Sequence, residues 1–104
     1  MKDKDRLHLP IDFDREKLFR ICRANDVAML GLFGSFARAE HTPSSDVDLL
    51  VEFSVPKSLL NLISLEQEIS VELDRDVDLL TENALSPYLR DRVKEDLRVI
   101  YVSR

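Results

Sequence analysis

Apolar residues in this 104-residue chain change their spacing several times, and each change marks an element. Leu18, Ile21 and Cys22 recur at helical steps behind Asp12 and Asp14. Either aspartate offers an N-cap, which predicts a helix running to about Asn25. Val27 to Phe33 is continuously apolar and ends at Gly34-Ser35, the pattern of a strand buried on both faces that stops in a tight turn. A short helical turn is expected from Ser35, and residues 41–45, His-Thr-Pro-Ser-Ser, have loop chemistry. Asp46 to Phe53 then alternates. Val47, Leu49, Val51 and Phe53 share one face of a strand, and Asp46, Asp48, Leu50 and Glu52 share the other.

Beyond Pro56, Ser58 is positioned to cap a long helix to about Leu73. Its buried side is expected to hold Leu59, Leu62, Ile63, Leu65, Ile69 and Leu73, with Glu66, Gln67, Ser70 and Glu72 opposite. Asp76 to Leu80 reads as a short strand. Ser86-Pro87 is a strong helix start, a capping serine before a proline at the first helical position, and Leu89, Val93 and Leu97 follow at steps of four. Arg98 to Val102 reads as a last strand at an edge. The order αβ(α)βαβαβ predicts a single αβ-layered domain over residues 1–104, with 1–11 as a charged lead-in and no interior linker.

Composition narrows the function classes. Hydrophobic residues at 44% and charged residues at 34% fit a globular domain. A formal charge of −5, with basic residues scattered among more numerous acidic ones, disfavours direct binding of long nucleic acid. A small phosphate ligand bridged by metal ions remains compatible. The lone Cys22 has no disulfide partner, and its helical spacing suits a small buried hydrophobe without a chemical role. The polar start lacks a signal-peptide core, and Val27 to Phe33 is far short of the roughly 20 residues that span a bilayer. A cytoplasmic protein without membrane contact is expected. Only two glycines are present, Gly31 and Gly34, so the permissive backbone positions gather around one turn.

The candidate chemistry lies beside that turn. Asp46 and Asp48 stand two positions apart on one strand face, where two carboxylates can converge on hard divalent cations. If strand 76–80 lies beside strand 46–53, Asp78 adds a third carboxylate, with Asp76 as the alternative on the same face. Like charges held together favour a compensating cation. Upstream, Gly34-Ser35 offers backbone N–H groups and a hydroxyl to an anion, and glycine permits close approach. An anion cradle and a carboxylate cluster joined by a short loop suit metal-assisted phosphoryl or nucleotidyl transfer. His41 reads as a solvated loop residue, and Ser45 as a cap of local backbone. Arg38 either neutralises phosphate charge or stands solvated.

Gly34-Ser35-Phe36-Ala37-Arg38 followed by Ser45-Asp46-Val47-Asp48-Leu49-Leu50-Val51 resembles the signature of minimal nucleotidyltransferases, a branch of the DNA polymerase beta-like superfamily. Asp76-Val77-Asp78-Leu79-Leu80-Thr81 resembles the segment carrying that family's third carboxylate, and the likeness extends over residues 13–102. The resemblance implies an α+β fold in which a small mixed sheet is backed by helices. It implies Mg²⁺ held at Asp46, Asp48 and Asp78, these three also being the catalytic residues, and ATP bound at Gly34, Ser35 and Arg38. It further implies an antitoxin that transfers AMP to a tyrosine hydroxyl of a HEPN-domain ribonuclease toxin. The alternative is a module that neutralises the toxin by complex formation alone. One departure stands out: the family's glycine after the arginine is Ala39 here, and alanine would be strained if that position needs a positive φ.

Overall fold

The computed structural model describes residues 13–103. The lead-in over 1–11 and the alternative cap Asp12 lie outside the described residues. The elements are α1 (Arg15–Ala24), β1 (Val27–Phe33), α2 (Gly34–Ala37), β2 (Val47–Phe53), α3 (Leu59–Leu73), β3 (Val77–Leu80), a 3-10 turn (Glu82–Ala84), α4 (Pro87–Asp96) and β4 (Arg98–Val102). Their order is the one the spacing predicts, with the 3-10 turn added.

Local chemistry accounts for the helix boundaries. Asp14 caps α1 by accepting the Lys17 N–H. Ser58 and Asn61 form a reciprocal capping box at the start of α3, satisfying donors that a helix N-terminus leaves open. Ser86 accepts the Leu89 N–H and Pro87 opens α4. At the other end of α3 the chain turns through Asp74 in the left-handed region. Ser70 then stitches that turn down: its carbonyl accepts the Arg75 N–H, and its hydroxyl donates to the Arg75 carbonyl.

The four strands form one sheet in the order β3-β2-β1-β4. β1 runs antiparallel to β2 and to β4, whereas β2 and β3 are parallel, so the sheet is mixed. Helices α1 and α3 cover one face, where Leu18, Cys22, Leu30, Leu32, Leu49, Val51, Leu65 and Ile69 are buried together. The other face is covered by α4 and the 3-10 segment through Leu50, Leu85 and Val93, flanked by Met29, Phe33, Leu80 and Leu97. Gly31 faces this second layer. A Cβ there would come within 2.5 Å of Leu97 Cδ1, so its bare backbone lets Leu97 pack flat on β1.

Three expectations from helical spacing are corrected. Leu59 is 69% exposed and Ile63 41% exposed; the buried part of α3 is Leu65, Ile69 and Leu73, with Leu62 partly buried against the same core, so the covered stripe is narrower than the apolar one. On α4, Val93 is the buried residue and Leu89 is exposed. Glu66, expected to face solvent, turns to the sheet and accepts the Leu79 N–H. Cys22 conforms to expectation: burial pushes its thiol up to about 12, which suits packing and not nucleophilic chemistry. No described helix is long and apolar enough to cross a membrane.

Candidate active site

The site forms where β1 ends and β2 and β3 begin. The antiparallel β1–β2 register pairs Phe33 with Asp48, and the parallel β2–β3 register pairs Asp48 with Asp78. One rung of the sheet therefore carries the Asp48 and Asp78 carboxylates side by side, with the end of β1 next to them. Asp46 lies one residue before β2, and Val47 N–H donates to the Asp76 carbonyl at 2.9 Å, locking the two strand entries together. Pairing with Asp48 falls to Asp78, while Asp76 sits one step before β3.

Electrostatics tie the carboxylates together. Asp48 is held above the ordinary carboxylate range, first by burial, then by the negative charges of Asp78 and Asp46, with the Arg38 guanidinium opposing. Asp78 is also raised, by burial, then by Asp46, Glu66 and Asp76. Glu66, with Asp76, thus adds negative charge beside Asp78. Its amphipathic position in α3 gave no sign of this, because the contact depends on where β3 docks.

Gly34 joins the carboxylates to the turn. Its φ is +76°, a conformation that side-chain-bearing residues rarely adopt, and a Cβ there would collide with Asp48 Oδ2. The Asp48 carboxylate therefore rests against the bare backbone of the turn. Ser35 follows in α2, and its carbonyl accepts the Glu40 N–H at 2.8 Å. Phe36, fully buried, pins this turn to the core, an anchor worth about 1.5–3 kcal/mol of transfer energy.

Arg38 is engaged rather than free: Nε donates to Glu40 Oε1 at 3.1 Å and Nη1 to Asp96 Oδ2 at 2.6 Å. His41, expected to be solvated, stacks on Phe36 with ring centroids 4.1 Å apart. Its Nδ1 is buried without a hydrogen-bond partner in the described structure. Arg75 lies over the Phe36 ring, 5.0 Å from its centroid. Ser45 does cap local backbone, accepting the Thr42 N–H at 2.8 Å. A cleft of about 990 Å³ opens beside the rung, lined by Ser44, Ser45, Asp46, Arg75 and Asp76 among others; Asp48, Asp78 and Gly34 do not border it.

Ala39 takes φ +59°, so the loop demands left-handed geometry where the resembled signature has glycine. The cost is about 1–2 kcal/mol for a residue with a Cβ, partly offset in a glycine variant by unfolded-state entropy. Ala39→Gly is therefore expected to raise stability by roughly 0.5–1 kcal/mol, measured by urea denaturation at constant m-value. A loss of stability would show that the Ala39 methyl makes a compensating contact.

The carboxylate set fits a hard divalent cation in its donor chemistry. Among the described residues no three His, Cys, Asp or Glu side chains close a metal site by themselves. Mg²⁺ does not require that, since it characteristically binds one or two carboxylates and completes its shell with water and substrate phosphates. Asp48 and Asp78, both raised by burial and by neighbouring negative charge, carry the kind of charge such an ion neutralises.

Comparison with known proteins gives the family. The family model for the nucleotidyltransferase domain matches residues 15–100. A protein of Methanocaldococcus jannaschii named "Putative protein adenylyltransferase MJ0435" is 42% identical over 79 residues, covering 76% of this chain and 85% of its own. A solved structure described as a "putative minimal nucleotidyltransferase" superposes with a TM-score of 0.71 at 33% identity, over 81% of this chain and 86% of that one. A chain from the structure of a tri-AMPylated Shewanella oneidensis HEPN toxin in complex with MNT antitoxin shares the fold, with a TM-score of 0.64 at 23% identity over 86% of this chain and 70% of that one. The mixed sheet backed by helices is the polymerase beta-like nucleotidyltransferase fold, and this chain belongs to the nucleotidyltransferase-domain family, in its minimal branch.

Proposed function

We propose that the chain is an Mg²⁺-dependent protein adenylyltransferase that moves AMP from ATP to a tyrosine hydroxyl of a HEPN-domain toxin and so serves as its antitoxin. The observation that carries this reading is the rung of Asp48 and Asp78, with Asp46 beside it, set directly against the Gly34 turn. The names of the similar proteins support the same chemistry and the same class of partner.

Asp46, Asp48 and Asp78 are the residues to hold Mg²⁺, which when bound supplies charge neutralisation at the phosphates. Gly34 and Ser35 present the turn to the triphosphate, and Arg38 can exchange Glu40 or Asp96 for a phosphate oxygen through its bidentate fork. Asp78 orients the acceptor hydroxyl and takes its proton. The freed oxygen attacks the α-phosphorus in line and pyrophosphate leaves, so that AMP becomes esterified to tyrosine.

The test incubates the protein with α-labelled ATP, Mg²⁺ and its HEPN-domain partner. Label is expected on the partner with the native protein and not with Asp46→Asn/Asp48→Asn. Neutralisation of the toxin by the native protein with no label transferred would establish complex formation alone, and label on RNA or a small molecule without a protein partner would reassign the acceptor.

A further inference from the structure

Beside Asp78, the sheet ends in a weakly held edge. Among the described residues β3, four residues long, has one strand neighbour, β2, so its outer N–H and C=O groups have no strand partner there. Glu66 supplies the missing contact. Its Oε2 accepts the Leu79 N–H at 2.9 Å, across thirteen residues of sequence. The donor is well chosen for control of Asp78. The Leu79 N–H and the Asp78 carbonyl belong to one planar peptide unit, so holding that N–H restrains ψ of Asp78 and with it the direction of the Asp78 Cα–Cβ bond.

The helix holding Glu66 is anchored by packing and by its cap. Leu65 and Ile69, on either side of it, are fully buried in the core, and the α3 start is locked by its capping box. Glu66 also lies close enough to Asp78 for their charges to interact. We infer that Glu66 is a positioning residue, which sets the Asp78 carboxylate through the Leu79 amide. The inference rests on the assignment of Asp78 to the reaction made above.

The experiment compares Glu66→Ala, which removes the acceptor, with Glu66→Gln, which keeps an oxygen there and loses the charge. Three readouts are taken on the full chain: hydrogen exchange of the Leu79 amide, the ¹³Cα and ¹³C′ shifts of Asp78, and kcat and KM for AMP transfer to the HEPN-domain partner. Glu66→Ala is expected to speed Leu79 exchange at least about tenfold, to move the Asp78 shifts, and to lower kcat by about 10–100-fold, the range seen when an orienting partner of a ligand is lost. KM for ATP should stay near the native value, and Glu66→Gln should restore all three. Faster exchange with unchanged Asp78 shifts and unchanged kcat would overturn the inference and leave Glu66 as an edge cover. Equal damage by both variants would overturn it in favour of charge. Full native kcat in Asp78→Asn would remove Asp78 from the reaction and overturn the inference with it, whereas no transfer by the native protein would count against the function itself and leave the exchange and shift measurements to decide the role of Glu66.

Discussion

Replacing Gly34 by alanine is expected to cut AMP transfer by about 10²-fold, the loss that a displacement of about 1 Å at a reacting centre can cause. Two effects act together. The backbone at position 34 has φ +76°, which costs a residue with a Cβ about 1–2 kcal/mol. The added methyl would also occupy the space of Asp48 Oδ2, so the carboxylate must swing away from the turn or the turn must open. Either outcome separates the groups that the proposed reaction needs together. Gly31→Ala is the control. Its methyl meets the end of the flexible Leu97 side chain and its φ is unexceptional, so it should lower stability with little effect on kcat. Transfer assays with α-labelled ATP, run beside thermal denaturation, separate the two. A Gly34→Ala protein with native kcat would show that the seat of Asp48 on the turn is irrelevant to turnover.

Asp48→Asn is expected to abolish transfer, by more than about 100-fold since it removes a proposed ligand and not merely its support, while making the metal-free protein more stable at neutral pH. Burial and the charges of Asp78 and Asp46 raise Asp48 above its ordinary value, and Arg38 only partly opposes them. Below about pH 4, the ordinary range of a free aspartate, both native and unfolded states are protonated and the charge costs nothing. As pH rises through the raised native value the native state gives up its proton later than the unfolded chain, so stability falls, and the deficit persists above that value. Asparagine has no charge to bury. The Asp48→Asn advantage should therefore be absent at low pH and grow toward neutrality in urea titrations without metal. Mg²⁺ should narrow it, because a cation that binds only the native state stabilises by mass action. A variant less stable than the native protein at pH 7 without metal would contradict this balance, which trades stability for function as active sites commonly do.

Much of this architecture was legible in the spacing of residues. Val27 to Phe33 reads as a doubly buried strand because α1 and α3 cover one side of β1 and α4 the other. The alternation from Asp46 to Phe53 separates an apolar face from an acidic one, and the structure keeps that separation: Val47, Leu49 and Val51 enter the main core. Ala39 was marked by the glycine missing from a resembled signature, and its positive φ is found where that signature places it. The expected burial of Leu59 and Ile63 fails for a single reason. Periodicity tells which residues share a helix face, and nothing about how far the opposing surface extends.

The sequence by itself determined the helices and strands, the caps at Ser58 and Ser86, the spacing of Asp46 and Asp48 two positions apart, and the turn at Gly34-Ser35. These are properties of neighbouring residues, set by backbone sterics, hydrogen bonding and alternation of side chains. Only the tertiary structure decided that Asp78, not Asp76, shares a rung with Asp48, that the Asp48 carboxylate lies on the backbone of Gly34, and that Glu66 reaches the edge of β3. Those facts depend on a strand register and a helix packing angle between distant segments, which are fixed by how the two faces of the sheet fill with side chains and are not written in the spacing of any one segment.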